Sequence, residues 1–142
     1  MLELKKERDR DFMARCREIM ARPGQIDLEQ VAREAEFTGC RSYYVTHPYA
    51  LRKIRELHRY PDRVRSGRRG ALWAELAAKV DRLVTARGLT DIDALTAVLA
   101  EGRASRFFMA QATAQRLLCD MVNRQRRHRR RPMSGSHPQP IS

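Results

Sequence analysis

Aromatic residues make up only 6% of the chain, and no apolar run approaches the roughly 18 residues that would span a bilayer. The three cysteines, Cys16, Cys40 and Cys119, are scattered and form no C-x-x-C pair. An odd, dispersed set argues against a disulfide framework, so all three are expected to pack as small buried hydrophobes. The opening residues MLELKKERDRD hold no apolar stretch of the signal-peptide kind. A soluble, cytoplasmic protein without membrane contact is therefore expected.

Catalytic constellations are also missing. His47, His58, His128 and His137 show no H-x-x-x-H spacing and stand near no cysteine at metal-ligand distance. The run SGRRG at 66–70 lacks the lysine of a phosphate loop. Asp91 and Asp93 are two apart at a helix start, where carboxylates suit capping and the helix dipole better than acid–base chemistry. The sequence points to no enzyme, no cofactor, no metal site and no small-molecule substrate.

What is abundant is positive charge, and its placement is uneven. The chain of 142 residues carries a net charge of +12. Residues 1–51 and 71–120 are each neutral, with nine and six charges of either sign respectively. Residues 52–70 hold eight basic against two acidic residues, and 121–142 hold six arginines and no acid, so each block contributes +6. Two cationic blocks behind two neutral modules are the distribution expected of a polyanion binder.

The modules themselves look alike. Laying residue i over i+64 needs no gap from Phe12 to Leu57. Gly24 meets Gly88, Asp27 meets Asp91, Ala50 meets Ala114 and Arg52 meets Arg116. The aromatic pair Tyr43–Tyr44 falls on Phe107–Phe108, and apolar positions coincide throughout. This pattern predicts an all-α protein of two tandem helical, helix-turn-helix-like repeats. They occupy 1–59 and 71–123, with a basic linker over 60–70 and an arginine-rich, disordered tail over 124–142.

Within each repeat the apolar periodicity gives a first helix ending near Ala21 or Ala86, broken by Gly24 or Gly88. A short second helix follows, begun by Asp27 with Gln30, or by Thr90 or Asp91. A third spans about 48–58 or 112–124, with Pro48 at a first helical position. Segments 37–47 and 101–111 are open to strand or helix, and a short helix is the expectation taken here. The arginines of 124–131 have a second option, extending the last helix as far as Pro132.

Segment 31–51, VAREAEFTGCRSYYVTHPYAL, resembles the helix-turn-helix of bacterial DNA-binding regulators of the tetracycline-repressor type. Val31, Ala32 and Ala35 match the first-helix packing positions, Phe37 the apolar turn residue and Thr38 the capping hydroxyl. Glu36 stands where that family's turn has Gly, and Ser42 where it has an apolar residue. The resemblance implies that Thr38, Gly39, Arg41, Ser42 and Tyr43, with Tyr44 at the helix end, face the major groove or its phosphates. Arg103 and Arg106 are the corresponding cations before Phe107 and Phe108.

Arginine grips phosphate with a planar, bidentate fork. The candidate phosphate contacts are Arg52, Lys53, Arg65, Arg68 and Arg69 in the first block, beside Arg55, Arg59 and Arg63. In the second they are Arg124, Arg126, Arg127, Arg129, Arg130 and Arg131. Tyr43, Tyr44, Phe107 and Phe108 have two roles open to them, core packing or stacking on unpaired bases. The function expected is nucleic-acid binding, as a DNA-binding accessory or regulatory protein. The alternatives are an RNA- or ribosome-associated protein, and a helical adaptor for an acidic protein partner with those aromatics as anchors.

Overall fold

The computed structural model describes residues 2–24, 27–63 and 67–135. Six helices account for most of them: α1 (Leu2–Met20), α2 (Leu28–Phe37), α3 (His47–Arg59), α4 (Arg68–Arg87), α5 (Asp91–Glu101) and α6 (Gln111–Gly135). A 3-10 turn at Pro61–Arg63 follows α3. The fold is all-α, with no strand among the described residues.

Local chemistry places the helix ends where the sequence suggests. The Asp27 side chain accepts from the Glu29 N–H to begin α2, and Thr90 accepts from the Asp93 N–H to begin α5, each satisfying a donor with no intrahelical partner. Gly88 ends α4 in the left-handed region, φ 65°, as helix termini favour. Helix α6 outruns its expected end near Arg124, so the arginines extend the helix to Gly135. Residues 136–142 lie outside the described part.

The helices sort into two groups of three. Helix α6 packs on α1 and α2, and α3 packs on α4 and α5. The third helix in sequence therefore joins the fourth and fifth, and the sixth returns to the first two. One face of the core is built by Phe12, Cys16, Ala32, Ala35, Ala114 and Leu118, and another by Ala50, Ile54, Leu72, Leu76, Val80 and Leu95.

Between the groups run segments 38–46 and 102–110. The short helix expected in each does not form. The two segments are non-helical and meet in one antiparallel bridge between Cys40 and Ala104, where the Cys40 N–H donates to the Ala104 carbonyl at 2.9 Å. The backbone gives the reason. Tyr44, Arg103 and Phe108 have φ of 57°, 60° and 54°, values that interrupt a right-handed helix. A Cβ on Gly102, itself at φ 72°, would lie 1.9 Å from the Arg41 carbonyl oxygen. The crossing is tight enough to require glycine. With a left-handed residue second in each aromatic pair, both adjacent rings turn inward: Tyr43, Tyr44, Phe107 and Phe108 are all buried. Phe107 packs edge-on against Phe12 at 5.6 Å and stacks on Tyr44 at 6.1 Å.

Candidate nucleic-acid interface

The residues that the helix-turn-helix resemblance put on a groove-facing helix lie on a non-helical segment and make intramolecular contacts; Tyr43 and Tyr44 are buried, while Gly39 and Arg41 stay exposed. Thr38 is the C-cap of α2, its hydroxyl donating back to the Glu34 carbonyl at 2.5 Å. The Gly39 carbonyl accepts from Arg15, and the Ser42 hydroxyl accepts from the Tyr44 N–H at 2.9 Å. Arg41 pairs with Asp11 at 2.9 Å and with Glu7, so its charge is already matched. The Tyr43 hydroxyl donates to Glu75 at 2.6 Å and that of Tyr44 to Asp11 at 2.5 Å. Burial, then these carboxylate partners, push both phenols above their ordinary range. Base stacking by the four aromatic rings is ruled out by their burial.

Arg106 departs furthest from its expected role. Glu36 is 1% exposed, and Arg106 donates to it in bidentate fashion, Nε at 2.7 Å and Nη2 at 2.6 Å. The Phe37 ring centroid lies 4.0 Å from the guanidinium and that of Phe108 5.3 Å. A buried charge is tolerable only when paired and hydrogen-bonded, and Arg106 meets both needs of Glu36. It is an internal ion pair and not a phosphate contact. Arg103 stays exposed, with its backbone carbonyl accepting from Lys79 at 3.0 Å.

The cationic residues outside that segment form two surfaces. The first lies where α3 meets α4. Tyr49 and Trp73 pack edge to face at 5.6 Å. Arg52 and Lys53 lie 5.1 and 5.7 Å from the Tyr49 centroid, and Arg69 lies 5.6 Å from that of Trp73. Each such contact is worth about 0.5–1 kcal/mol at an exposed site and helps hold the cations in place; Lys53 also pairs with Glu56 at 3.9 Å. Among the described residues, Arg52, Arg68 and Arg69 have no carboxylate within ion-pair distance. Arg68 and Arg69 open α4 behind Gly67, which offers no side-chain cap. That helix end carries positive dipole charge where acids are the usual residents.

Tyr49, half-buried, and Trp73, buried, carry the cations of this cluster, a role absent from the sequence-based expectation. Their signal was spacing. Tyr49 precedes Arg52 and Lys53 by three and four positions, and Arg69 precedes Trp73 by four, which puts ring and cation on one helix face.

The second surface is residues 123–129 of α6. Every side chain over residues 123–129 is exposed, and the last acid in the chain is Asp120, which pairs with Arg116. At about 100° per residue, Arg129, Arg126 and Arg127 fall about 140°, 200° and 300° around the axis from Arg124. The helix is thus cationic on all sides. Arg65, and the side chains of Arg130 and Arg131, lie outside the described part.

No group of three or more His, Cys, Asp or Glu among the described residues is placed to hold a metal ion, and none of the described helices is long and apolar enough to cross a membrane. Comparisons with protein-family models, with curated proteins and with solved structures each return no match.

Proposed function

We propose that the chain is a nucleic-acid-binding protein of the DNA-binding accessory or regulatory kind. The observation that carries this reading is residues 123–129 of α6: exposed, free of acids, and arginine-bearing around the helix. A helix docking on an acidic protein surface needs cations on one face. A helix lying in a duplex groove has phosphates on both flanks and uses cations on opposite sides. The major groove of B-form DNA admits an α-helix, whereas that of A-form RNA is too deep and narrow for side chains to read. Arginines toward the C-terminal end also suit the helix dipole, but their mutual repulsion at three- and four-residue spacing works against the helix. Phosphates remove that repulsion. Arg52, Arg68 and Arg69 of the α3–α4 cluster supply a second set of cations without a carboxylate partner among the described residues. The adaptor alternative loses its anchors, because Tyr43, Tyr44, Phe107 and Phe108 are buried.

The test is a titration of labelled duplex DNA with the full chain and with a variant carrying Arg124→Gln, Arg126→Gln, Arg127→Gln and Arg129→Gln. Glutamine keeps helix propensity close to that of arginine. Binding by the full chain, weakened at least 100-fold in the variant, supports the proposal. Equal affinity of the two proteins, or no binding at 50 mM salt, rejects it. Preference for structured RNA over duplex DNA would transfer the function to the RNA alternative.

A further inference from the structure

Among the described residues, packing between α-helices is confined within the two groups: α1, α2 and α6 contact only one another, and so do α3, α4 and α5. The groups are two lobes joined through segments 38–46 and 102–110, which meet at the bridge between Cys40 and Ala104. Both α3 and α6 start where these segments end, and each leads into a different lobe. One cationic surface therefore stands in each lobe. On α3, Arg52 and Arg59 lie about 20° apart around the axis and about 10.5 Å apart along it. Buried Ala50 and Ile54 fall about 160° from Arg52, so the two arginines hold the centre of the outward face. Leu51, Arg52, Arg55 and Arg59 line a groove along that face. Arg55 is matched by Asp91, and Lys53 by Glu56. Arg52, Arg59, Arg68 and Arg69 are exposed and have no carboxylate within ion-pair distance among the described residues. In the other lobe the packed part of α6 ends at Met121 and Val122, and residues 123–129 run on with their side chains exposed.

We propose that the α3–α4 surface is a second duplex-binding site, independent of residues 123–129 of α6, so that one chain bridges two segments of DNA. The proposal rests on the nucleic-acid function stated above and adds the number of segments held. Charge selects the occupant. Four unmatched arginines are complementary to a phosphate backbone, which the guanidinium grips in bidentate fashion. Tyr49 is half-buried and Trp73 buried beneath the cations, so the surface offers an acidic protein no aromatic anchor of the kind that holds protein interfaces together. The lobes select two segments over one. A duplex is stiff over about 50 nm and presents a straight rod to any surface it meets. Surfaces in separate lobes, whose helices do not touch, can each meet a rod of their own without bending it. Contacts to the backbone alone carry no sequence information, so the α3–α4 site should accept any duplex. When both segments belong to one long molecule, the second binding event becomes intramolecular and each site raises the occupancy of the other. A chain built this way gathers distant stretches of DNA.

The test couples two duplexes through the protein. One duplex is fixed to beads and a second, of unrelated sequence, carries a fluorophore. Retention of the second is measured at 50 mM salt, at protein concentrations that saturate the first. One variant carries Arg52→Gln, Arg59→Gln, Arg68→Gln and Arg69→Gln, and the other Arg124→Gln, Arg126→Gln, Arg127→Gln and Arg129→Gln. All these positions are exposed and glutamine keeps helix propensity, so both variants should show the parent's circular dichroism. The full chain should retain the second duplex. Each variant should still bind a single duplex but lose retention of the second by about 10-fold or more, and mixing the two variants should not restore it. Retention by either variant, or its return in the mixture, overturns the proposal. So does a variant that binds no single duplex, a full chain that binds one duplex and retains no second, or displacement of the second duplex by polyglutamate of equal charge. In each of these outcomes the nucleic-acid reading stands. A full chain that binds no duplex at 50 mM salt ends both.

Discussion

Replacing Arg106 by alanine separates a structural arginine from a ligand-binding one. The Glu36 side chain is 2% exposed and that of Arg106 20%. Without Arg106, Glu36 keeps only the N–H of Met109, at 3.4 Å, as a donor to its carboxylate. Removing one member of a buried pair costs about 3–5 kcal/mol, because a charge is left uncompensated. The partial exposure of Arg106 places the expected loss near the lower end, about 3 kcal/mol. Urea unfolding of Arg106→Ala should show it as a lower midpoint with unchanged slope. The double variant Glu36→Leu, Arg106→Leu removes both charges and leaves one N–H unpaired, so it should lie within about 1.5 kcal/mol of the original. DNA affinity of folded Arg106→Ala should match that of the parent. A stability loss below about 1 kcal/mol, or additive losses in Glu36→Leu and Arg106→Leu, would refute the internal-pair account. Weakened DNA binding at intact stability would return Arg106 to the interface.

Gly102→Ala should cost more than about 3 kcal/mol or prevent folding, because its Cβ meets backbone in addition to the left-handed penalty. Gly88→Ala, with nothing within 4 Å, should cost only the left-handed penalty of about 1–2 kcal/mol by the same unfolding assay. Native-state thiol labelling should modify Cys119 alone. Burial pushes the Cys16 thiol up to about 12 and that of Cys40 to about 11, so prompt reaction at either would contradict the packing. Glu75 is held below its ordinary pKa: burial opposes this, but hydrogen bonds from Ser105 and Tyr43 and the charge of Lys79 outweigh it. A lowered native pKa stabilises the fold above the unfolded value of about 4.3, and that stabilisation is lost as pH falls further. Thermal melts below about pH 4.3 should therefore decline less steeply for Glu75→Gln than for the parent.

Helices were legible in the sequence because apolar residues recur at helical spacing and because Asp27, Thr90 and Gly88 mark their ends with short-range chemistry. That α3 packs on α4 and α5, and α6 on α1 and α2, was not legible. Periodicity says which face of a helix is buried but not which neighbour buries it, and the apolar faces of α3 and α6 are alike in pattern. Segments 38–46 and 102–110 were misread for a related reason. Their conformation is set by contacts across the molecule: Tyr43 with Glu75, Arg106 with Glu36, and the bridge between Cys40 and Ala104. No local window contains both partners of any of these. The charge blocks survived in part. Arg52, Lys53 and Arg69 are brought together, and Arg124, Arg126, Arg127 and Arg129 of α6 are exposed, while Arg41 and Arg106 are claimed by carboxylates of the same chain. Charge density along a chain marks a surface, but whether one cation is free depends on an acid that is distant in sequence.

The salt dependence of duplex binding, read as the slope of log affinity against log salt, tests the central claim most directly. Phosphate contacts release counterions at about 0.9 per contact. If the four described arginines beyond Asn123 each meet a phosphate, replacing Arg124, Arg126, Arg127 and Arg129 by glutamine should make the slope shallower by about 3.6. Affinity at 50 mM salt should fall with it. A slope that is unchanged by the four substitutions would show that α6 does not lie against the DNA backbone.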